Sequence, residues 1–260
     1  MEVGEAVLYR VEGIVVRSMD YGEGNKIVTL YTKQTGKITV MARGARKLKS
    51  KFGALAQPLT HGEFVFFKTG SGSMGTLNHG EIDRSHSRLR EDLTLAAYAA
   101  YIAELTDRLT EDGEANPFLF EQLKASLVSL EEGKDPQIVT HLFEWKVSAA
   151  AGYEPMLEAC AACGADPSEG LAFSAAAGGW LCRIHRLQDP QSIPMDGSAF
   201  KLLRLLVALD ARRMGSIAVK PESKLLMKQM VRLWFEHHIG IRFKSLHFLD
   251  QLEGLFDKKE

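Results

Sequence analysis

The chain has 260 residues, 45% hydrophobic and 25% charged, with a formal net charge of −1. That length and balance suit an ordinary globular protein of two or three domains, and no apolar run approaches the eighteen residues that would suggest a membrane-spanning helix. The small net charge hides a strong asymmetry: residues 1–90 carry 14 Lys and Arg against 8 Asp and Glu, residues 91–172 carry 4 against 16, and residues 173–260 carry 14 against 9. Two basic ends around an acidic middle point to a polyanionic partner for the ends.

In chain order, the first ninety residues read as β-structure. Short runs rich in β-branched residues occupy Val11–Arg17, Lys26–Thr32 and Lys37–Ala42. Turn residues separate them, in Asp20-Tyr-Gly-Glu-Gly24 and Gln34-Thr-Gly36. Two more runs follow at Glu63–Thr69 and Thr76–Ile82. Five short strands predict a small closed barrel, because an open sheet of that size would leave edges to protect. The five-stranded member of that class is the OB-fold, whose open face takes single strands.

After the third strand comes the densest positive cluster, with Arg43, Arg46, Lys47, Lys49 and Lys51 within nine residues. Mutual repulsion keeps such a cluster in solvent. Many point charges on a loop suit a phosphate backbone, and binding through them is salt-sensitive. Lys33 and Lys37 flank the neighbouring turn and extend the expected patch. Tyr21, Tyr31, Phe52 and Phe66 are candidates for stacking on bases, although strand aromatics more often belong to a core.

From about Asp92 the period becomes helical. Leu93, Ala96, Ala97, Ala100, Ile102 and Leu105 fall at helical spacing behind Asp92. Asn116 precedes Pro117 at the head of a second helix reaching Leu130, and Asp135 precedes Pro136 at the head of a third reaching about Ala151. Gly152 is a natural stop.

The cysteines come next. All three lie in one stretch, Cys160-Ala-Ala-Cys163, then eighteen residues, then Cys182-Arg-Ile-His185. Two pairs with this internal spacing and separation are the signature of a structural zinc site. Leu171–Ser174 and Gly179–Cys182 read as a hairpin about Gly178-Gly179 that returns the second pair to the first. Three thiolates and an imidazole favour tetrahedral Zn²⁺. Cysteines used as metal ligands also suit a reducing compartment, so the cytoplasm is the expected location. Helices are expected over Ser198–Leu209, Pro221–His238 and Ser245–Leu252. On the second of these, Lys220, Lys224, Lys228 and Arg232 recur at every fourth position and form a ridge beside Leu225, Leu226 and Val231. A basic ridge beside apolar residues suits an acidic peptide with hydrophobic anchors.

Catalytic signatures are weak. No phosphate-binding glycine loop, nucleophile elbow or His-Glu-x-x-His motif occurs. His61-Gly-Glu63 and His79-Gly-Glu81 match half of a zinc-deaminase pattern, but Ala159 stands where that pattern needs proline before the first cysteine. A zinc held by four side chains is closed to substrate and does structural work. The chain is therefore expected not to be an enzyme.

The run Val11–Thr32, the segment Met41-Ala-Arg-Gly-Ala-Arg-Lys47, Arg90-Glu-Asp-Leu93, Ala99–Leu105, Phe118-Leu-Phe120 and Gly178-Gly-Trp-Leu-Cys182 together resemble the bacterial RecO family of DNA repair and recombination mediators, over nearly the whole chain and in the same order. That resemblance implies an α+β chain with an N-terminal OB-fold barrel over 1–84, then a helical domain over 85–260 that carries a small zinc-binding hairpin at about 156–190. It implies binding of single- and double-stranded DNA, strand annealing, action with RecR, recognition of the acidic tail of single-stranded DNA-binding protein, and RecA loading. It makes the loop cations DNA contacts, and Cys160, Cys163, Cys182 and His185 zinc ligands. The family pattern has cysteine in the fourth place, where this chain has His185. The residues alone leave two other readings open: a barrel-plus-zinc-ribbon protein acting on RNA, and an adaptor whose ridge binds acidic peptides.

Overall fold

The computed structural model describes residues 6–69, 74–166 and 171–256. They fall in two compact units, one of residues 1–133 with 243–260 and one of residues 134–242.

The first unit opens with five strands: β1 Ala6–Tyr21, β2 Asn25–Thr32, β3 Gly36–Ala42, β4 His61–Thr69 and β5 Met74–Arg84. They hydrogen-bond in the order β1-β2-β3-β5-β4, and β4 returns to β1, so the sheet closes into a barrel. Only β3 and β5 run parallel. The expected strands are all present, and β1 is much longer than its β-branched run. Its first half pairs with β4 from Ala6 to Ile14, and its second half pairs with β2 from Gly13 to Tyr21. The register shift between Val15 and Arg17 marks the bend where it changes partner. One strand serving both edges is how so short a sheet closes without an exposed edge.

Val11, Val15, Val28, Leu30, Val40, Phe64, Phe66 and Leu77 fill the barrel. Ala45, Phe52, Leu55 and Ala56, from the segment between β3 and β4, join the same core and stop one end. The basic loop is therefore tethered by its own apolar residues. Gly36 sits at φ 66°, and a Cβ there would meet the Glu114 carbonyl oxygen at 2.1 Å, so only glycine permits this close approach of the β2–β3 turn.

Helices α1 Ser87–Glu91, α2 Leu93–Leu109 and α3 Pro117–Glu131 follow, and α7 Lys244–Phe256 completes the unit. Asn116 caps α3 as the sequence predicts, its side chain accepting from Leu119 N at 2.9 Å, whereas Asp92, expected as an acidic first-turn residue, is the N-cap of α2, its carboxylate accepting from Leu95 N at 2.9 Å. On α7 the start is capped from another helix, since Glu104 of α2 accepts from the backbone N–H groups of Lys244 and Ser245 at 3.1 and 2.8 Å.

His86, just before α1, sits in the left-handed region at φ 50° and is 1% exposed. Burial first, then the charges of Arg84, His61 and Arg90, push its pKa down to about 3. The Glu131 carboxylate lies 3.0 Å from Nδ1 but out of hydrogen-bonding line, and burial pushes that carboxyl up, so it does not offset the effect. The folded ring stays neutral while the unfolded ring takes a proton below its ordinary value near 6.5. Stability from this group is therefore present above about pH 6.5 and falls as the pH drops toward 3. We expect a loss of ~2 kcal/mol between pH 7 and pH 5, read from urea midpoints. His86→Asn, which tolerates the same backbone, should lack that component; an identical pH response in the variant would rule it out.

The second unit is built round α4 Pro136–Ala150, with β6 Ala172–Ser174, β7 Gly179–Leu181, β8 Ile193–Pro194, α5 Gly197–Ala208 and α6 Pro221–His238. Asp135 caps α4 by accepting from Gln137 N and Ile138 N. Residues 138–148 of α4 are all buried, so it is the spine of the unit rather than an amphipathic surface helix. Trp145 of α4 lies 6.0 Å from the Phe173 ring and 5.9 Å from Trp234 of α6, and Trp234 Nε1 donates to Ser148 Oγ at 3.0 Å. Phe173 belongs to β6, so this aromatic cluster seats the small hairpin on the helical spine. Two-residue β8, pairing with β6, has no sequence signal of its own.

Candidate functional site

The metal-ligand candidates meet as their spacing predicts. β6 and β7 pair antiparallel with Phe173 opposite Trp180, which returns Cys182 to the first cysteine pair. Trp180 O accepts from Ala161 N at 2.9 Å and holds that pair against the hairpin. The first turn is closed by Gly164 N donating to Cys160 O at 2.8 Å, and Gly164 has φ 72°. A 3₁₀ turn over His185–Gln188 presents the imidazole, with Arg186 N donating to Cys182 O at 3.0 Å. Residues 167–170 of the expected zinc segment lie outside the described residues.

The four ligand atoms lie within 4.8 Å of one another. Cys163 Sγ is 3.9 Å from Cys182 Sγ, and Cys182 Sγ is 3.2 Å from His185 Nδ1. Cys160 and Cys182 are buried and Cys163 is exposed. Burial raises the Cys160 thiol, but the N–H groups of Cys182, Ala162 and Cys163 outweigh it and hold the thiol below its ordinary value. The N–H of His185, and after burial that of Ile184, lower Cys182 in the same way. At Cys163 the Ala165 N–H pulls down, while burial and the sulfurs of Cys160 and Cys182 push the thiol up. Sulfurs crowded together with backbone donors aimed at them form a preorganised cage, and a cation at its centre takes the ligands in their deprotonated form. The group can hold a metal ion.

The loop cations divide into two groups. Among the described residues, Arg43, Lys47 and Lys49 make no side-chain hydrogen bond or ion pair, and all three are exposed. Arg46 is tied back: its Nε lies 3.2 Å from Asp20 Oδ2 and its Nη1 donates to Gly22 O at 3.1 Å. Lys51 Nζ donates to Asn78 O at 3.1 Å and sits 4.9 Å over the Phe52 ring. Leu48, between the two free lysines, is wholly exposed.

The structure does not bring Lys33 and Lys37 into that patch. Lys33 Nζ donates to Glu121 Oε1 of α3 at 2.7 Å. Lys37 Nζ donates to the carbonyls of Asp107 and Thr110, at the end of α2, at 2.6 and 2.7 Å. Both are half-buried and fasten barrel strands to helices of the same unit. The ridge on α6 is also less free than its spacing suggests. Lys220 is exposed, Lys224 pairs with Asp135, and Lys228 and Arg232 are half-buried. The last two line a cavity of about 470 Å³ with Leu225, Leu233 and Ile193.

A chain with a closed N-terminal barrel, a free basic loop and a four-ligand cage in a helical unit can be compared with known proteins. Residues 6–86 match the family described as "Recombination protein O N terminal", and residues 90–247 match "Recombination protein O C terminal". The chain belongs to the RecO family. It is 43% identical over 244 residues to the DNA repair protein RecO of Bacillus mycoides (strain KBAB4), covering 94% of this chain and 97% of the relative. The RecO proteins of Bacillus cytotoxicus and Bacillus cereus (strain B4264) are 43% and 42% identical over the same lengths. Membership of the RecO family supports a role in DNA repair and recombination. Among the described residues no helix is long and apolar enough to cross a membrane.

Proposed function

We propose that this chain is a non-catalytic recombination mediator. It binds single- and double-stranded DNA, anneals complementary strands, and with RecR helps load RecA onto gaps coated with single-stranded DNA-binding protein. The observation that carries this is the free, solvent-facing cation set Arg43, Lys47 and Lys49, joined by Arg46 and Lys51, on a closed five-stranded barrel. The strand order β1-β2-β3-β5-β4 supports an OB-fold over 1–84, followed by a helical part over 85–260. Lys33 and Lys37 lend positive potential only, because their ammonium groups are already bonded.

Two strands repel each other through their phosphates. Cations that hold both backbones reduce that repulsion and leave base edges free to pair. No groove-reading helix is required, so sequence selectivity is low. The cage of Cys160, Cys163, Cys182 and His185 holds structural Zn²⁺. A tetrahedron with Zn–S bonds of about 2.3 Å has edges of roughly 3.8 Å, close to the 3.9 Å between Cys163 Sγ and Cys182 Sγ. When bound, the ion cross-links the first turn to the hairpin and supplies no chemistry to a substrate, because all four positions are taken. The groove lined by Lys228, Arg232, Leu225 and Leu233, with Lys220 beyond it and Lys224 already paired with Asp135, takes the acidic tail of single-stranded DNA-binding protein. The protein works in the bacterial cytoplasm at the nucleoid.

The test is annealing of two complementary oligonucleotides coated with single-stranded DNA-binding protein, across a salt titration and without nucleotide. Salt-sensitive acceleration without ATP is expected. No acceleration, with DNA binding intact, would reduce the protein to a plain binding module.

A further inference from the structure

The ligands of the cage are not equally shielded from solvent. Cys160 is 1% and Cys182 7% exposed, whereas Cys163 is open to solvent. The Cys160 sulfur is also engaged from within, accepting from Cys182 N at 3.4 Å. Cys182 Sγ lies 3.9 Å from Cys163 Sγ and 3.2 Å from His185 Nδ1. An exposed sulfur with a second sulfur beside it is the arrangement of a redox-active pair: the first meets an oxidant and the second resolves the product. A bound cation keeps its ligating thiols deprotonated, and the thiolate is the form that reacts.

The surroundings of the pair survive loss of an ion. The first turn is closed by its own backbone, with Cys160 N donating to Ala165 O and Gly164 N to Cys160 O, both at 2.8 Å. Ala161 N to Trp180 O, at 2.9 Å, and Trp180 N to Met156 O, at 3.2 Å, hold that turn to the hairpin. The hairpin is seated in turn by side chains. Trp180 packs 5.9 Å from the Phe200 ring of α5, and Phe173 packs against Trp145 and Trp234. The two ligand turns therefore stay close together without a metal, so reduction can rebuild the site.

We propose that Cys163 is a hydroperoxide-reactive site with Cys182 as its resolving partner, so that oxidation joins the two in a disulfide and releases the metal. This rests on the metal-cage reading above and adds a chemical reactivity to it. With hydrogen peroxide, the Cys163 sulfur attacks one oxygen; an S–O bond forms, the O–O bond breaks, and the departing oxygen takes a proton and leaves as water. The Cys182 sulfur then attacks the Cys163 sulfur; an S–S bond forms, the S–O bond breaks, and a proton from solvent turns the departing hydroxide into a second water. Two thiolates give up two electrons and the peroxide bond receives them. Cys160 and His185 then remain as two ligands of four, too few for a closed tetrahedral site.

The test treats the zinc-loaded full chain with hydrogen peroxide. Released zinc is followed with a chromogenic chelator, and thiols are mapped by alkylation and peptide mass spectrometry. One zinc per chain should be released, Cys163 and Cys182 should be recovered as a cross-linked pair, and Cys160 should stay alkylated. Dithiothreitol with added zinc should restore all three thiols and the metal. In Cys182→Ser the disulfide should be lost, and dimedone should trap Cys163 as its sulfenic acid. Zinc retained with all three thiols intact, or a disulfide between Cys160 and Cys163, overturns the proposal. A chain that holds no zinc before oxidation would overturn the metal reading instead, and the alkylation map would still decide the Cys163–Cys182 pair.

Discussion

Replacing Cys160 and Cys163 together by serine should take the metal content from one zinc per chain to none and loosen residues 134–242 before the barrel. Apparent binding free energies of structural zinc in small peptides are of order 10 kcal/mol at neutral pH, and they count toward folding because the unfolded chain has no formed site. Here the hairpin is also seated by Phe173 against Trp145 and Trp234, so part of the unit survives metal loss. A loss of ~3 kcal/mol is the expected scale, which for a unit of that length is roughly 13 °C in its melting. The same logic gives a direction with pH: the ligands must shed protons to bind, so acid releases the metal. His185→Cys should keep the zinc, because a fourth thiolate suits the same tetrahedral position. Zinc measured by atomic absorption beside a thermal melt decides the matter; unchanged metal content and melting in the double variant would end the metal assignment.

Replacing Arg46, Lys47 and Lys49 by alanine should weaken single-stranded DNA binding and flatten its dependence on salt. Each phosphate neutralised on a single strand contributes about 0.7 to the slope of log affinity against log salt. Lys47 and Lys49 have no partner to give up among the described residues, so their loss should reduce the slope by about 1.4. Arg46 adds less, because Asp20 and the Gly22 carbonyl already hold its guanidinium. The fold should survive, since the residues that stop the barrel, Phe52, Leu55 and Ala56, are untouched. The corresponding change at Lys33 or Lys37 should show the opposite pattern: little change in slope, and lost stability from carboxylates and carbonyls left without their ammonium partners. A slope equal to that of the wild type in the triple variant would take the loop out of the DNA site.

Much of this organisation is written locally in the residues. The strands follow β-branched runs between turn residues, and α2, α3 and α4 begin at Asp92, Asn116 and Asp135 because a capping side chain acts only on N–H groups two or three residues away. The metal cage is legible for the same reason. Each pair is a local turn and the hairpin between them is short, so spacing alone nearly determines that Cys160, Cys163, Cys182 and His185 converge. The five-cation loop is legible because charge at that density has nowhere to go but solvent.

Other features depend on partners distant in the chain, and no local pattern carries them. β1 runs on for 16 residues because β4 supplies a second edge for its first half. Lys33 and Lys37 look like members of the basic patch until Glu121 and the end of α2, some 70–88 residues away, engage them. Lys224 keeps its place in the fourfold repeat on α6 but spends its charge on Asp135. Of the four aromatics with stacking potential, Tyr31, Phe52 and Phe66 are at most 7% exposed and belong to cores, while Tyr21 stays open to solvent. Element types, helix starts, the meeting of Cys160, Cys163, Cys182 and His185 and the solvated loop are thus legible without the fold, because all of them rest on interactions within a few turns of chain. The tertiary structure alone decided which cations remain free and which aromatic stays exposed, because both follow from what long-range packing happens to cover.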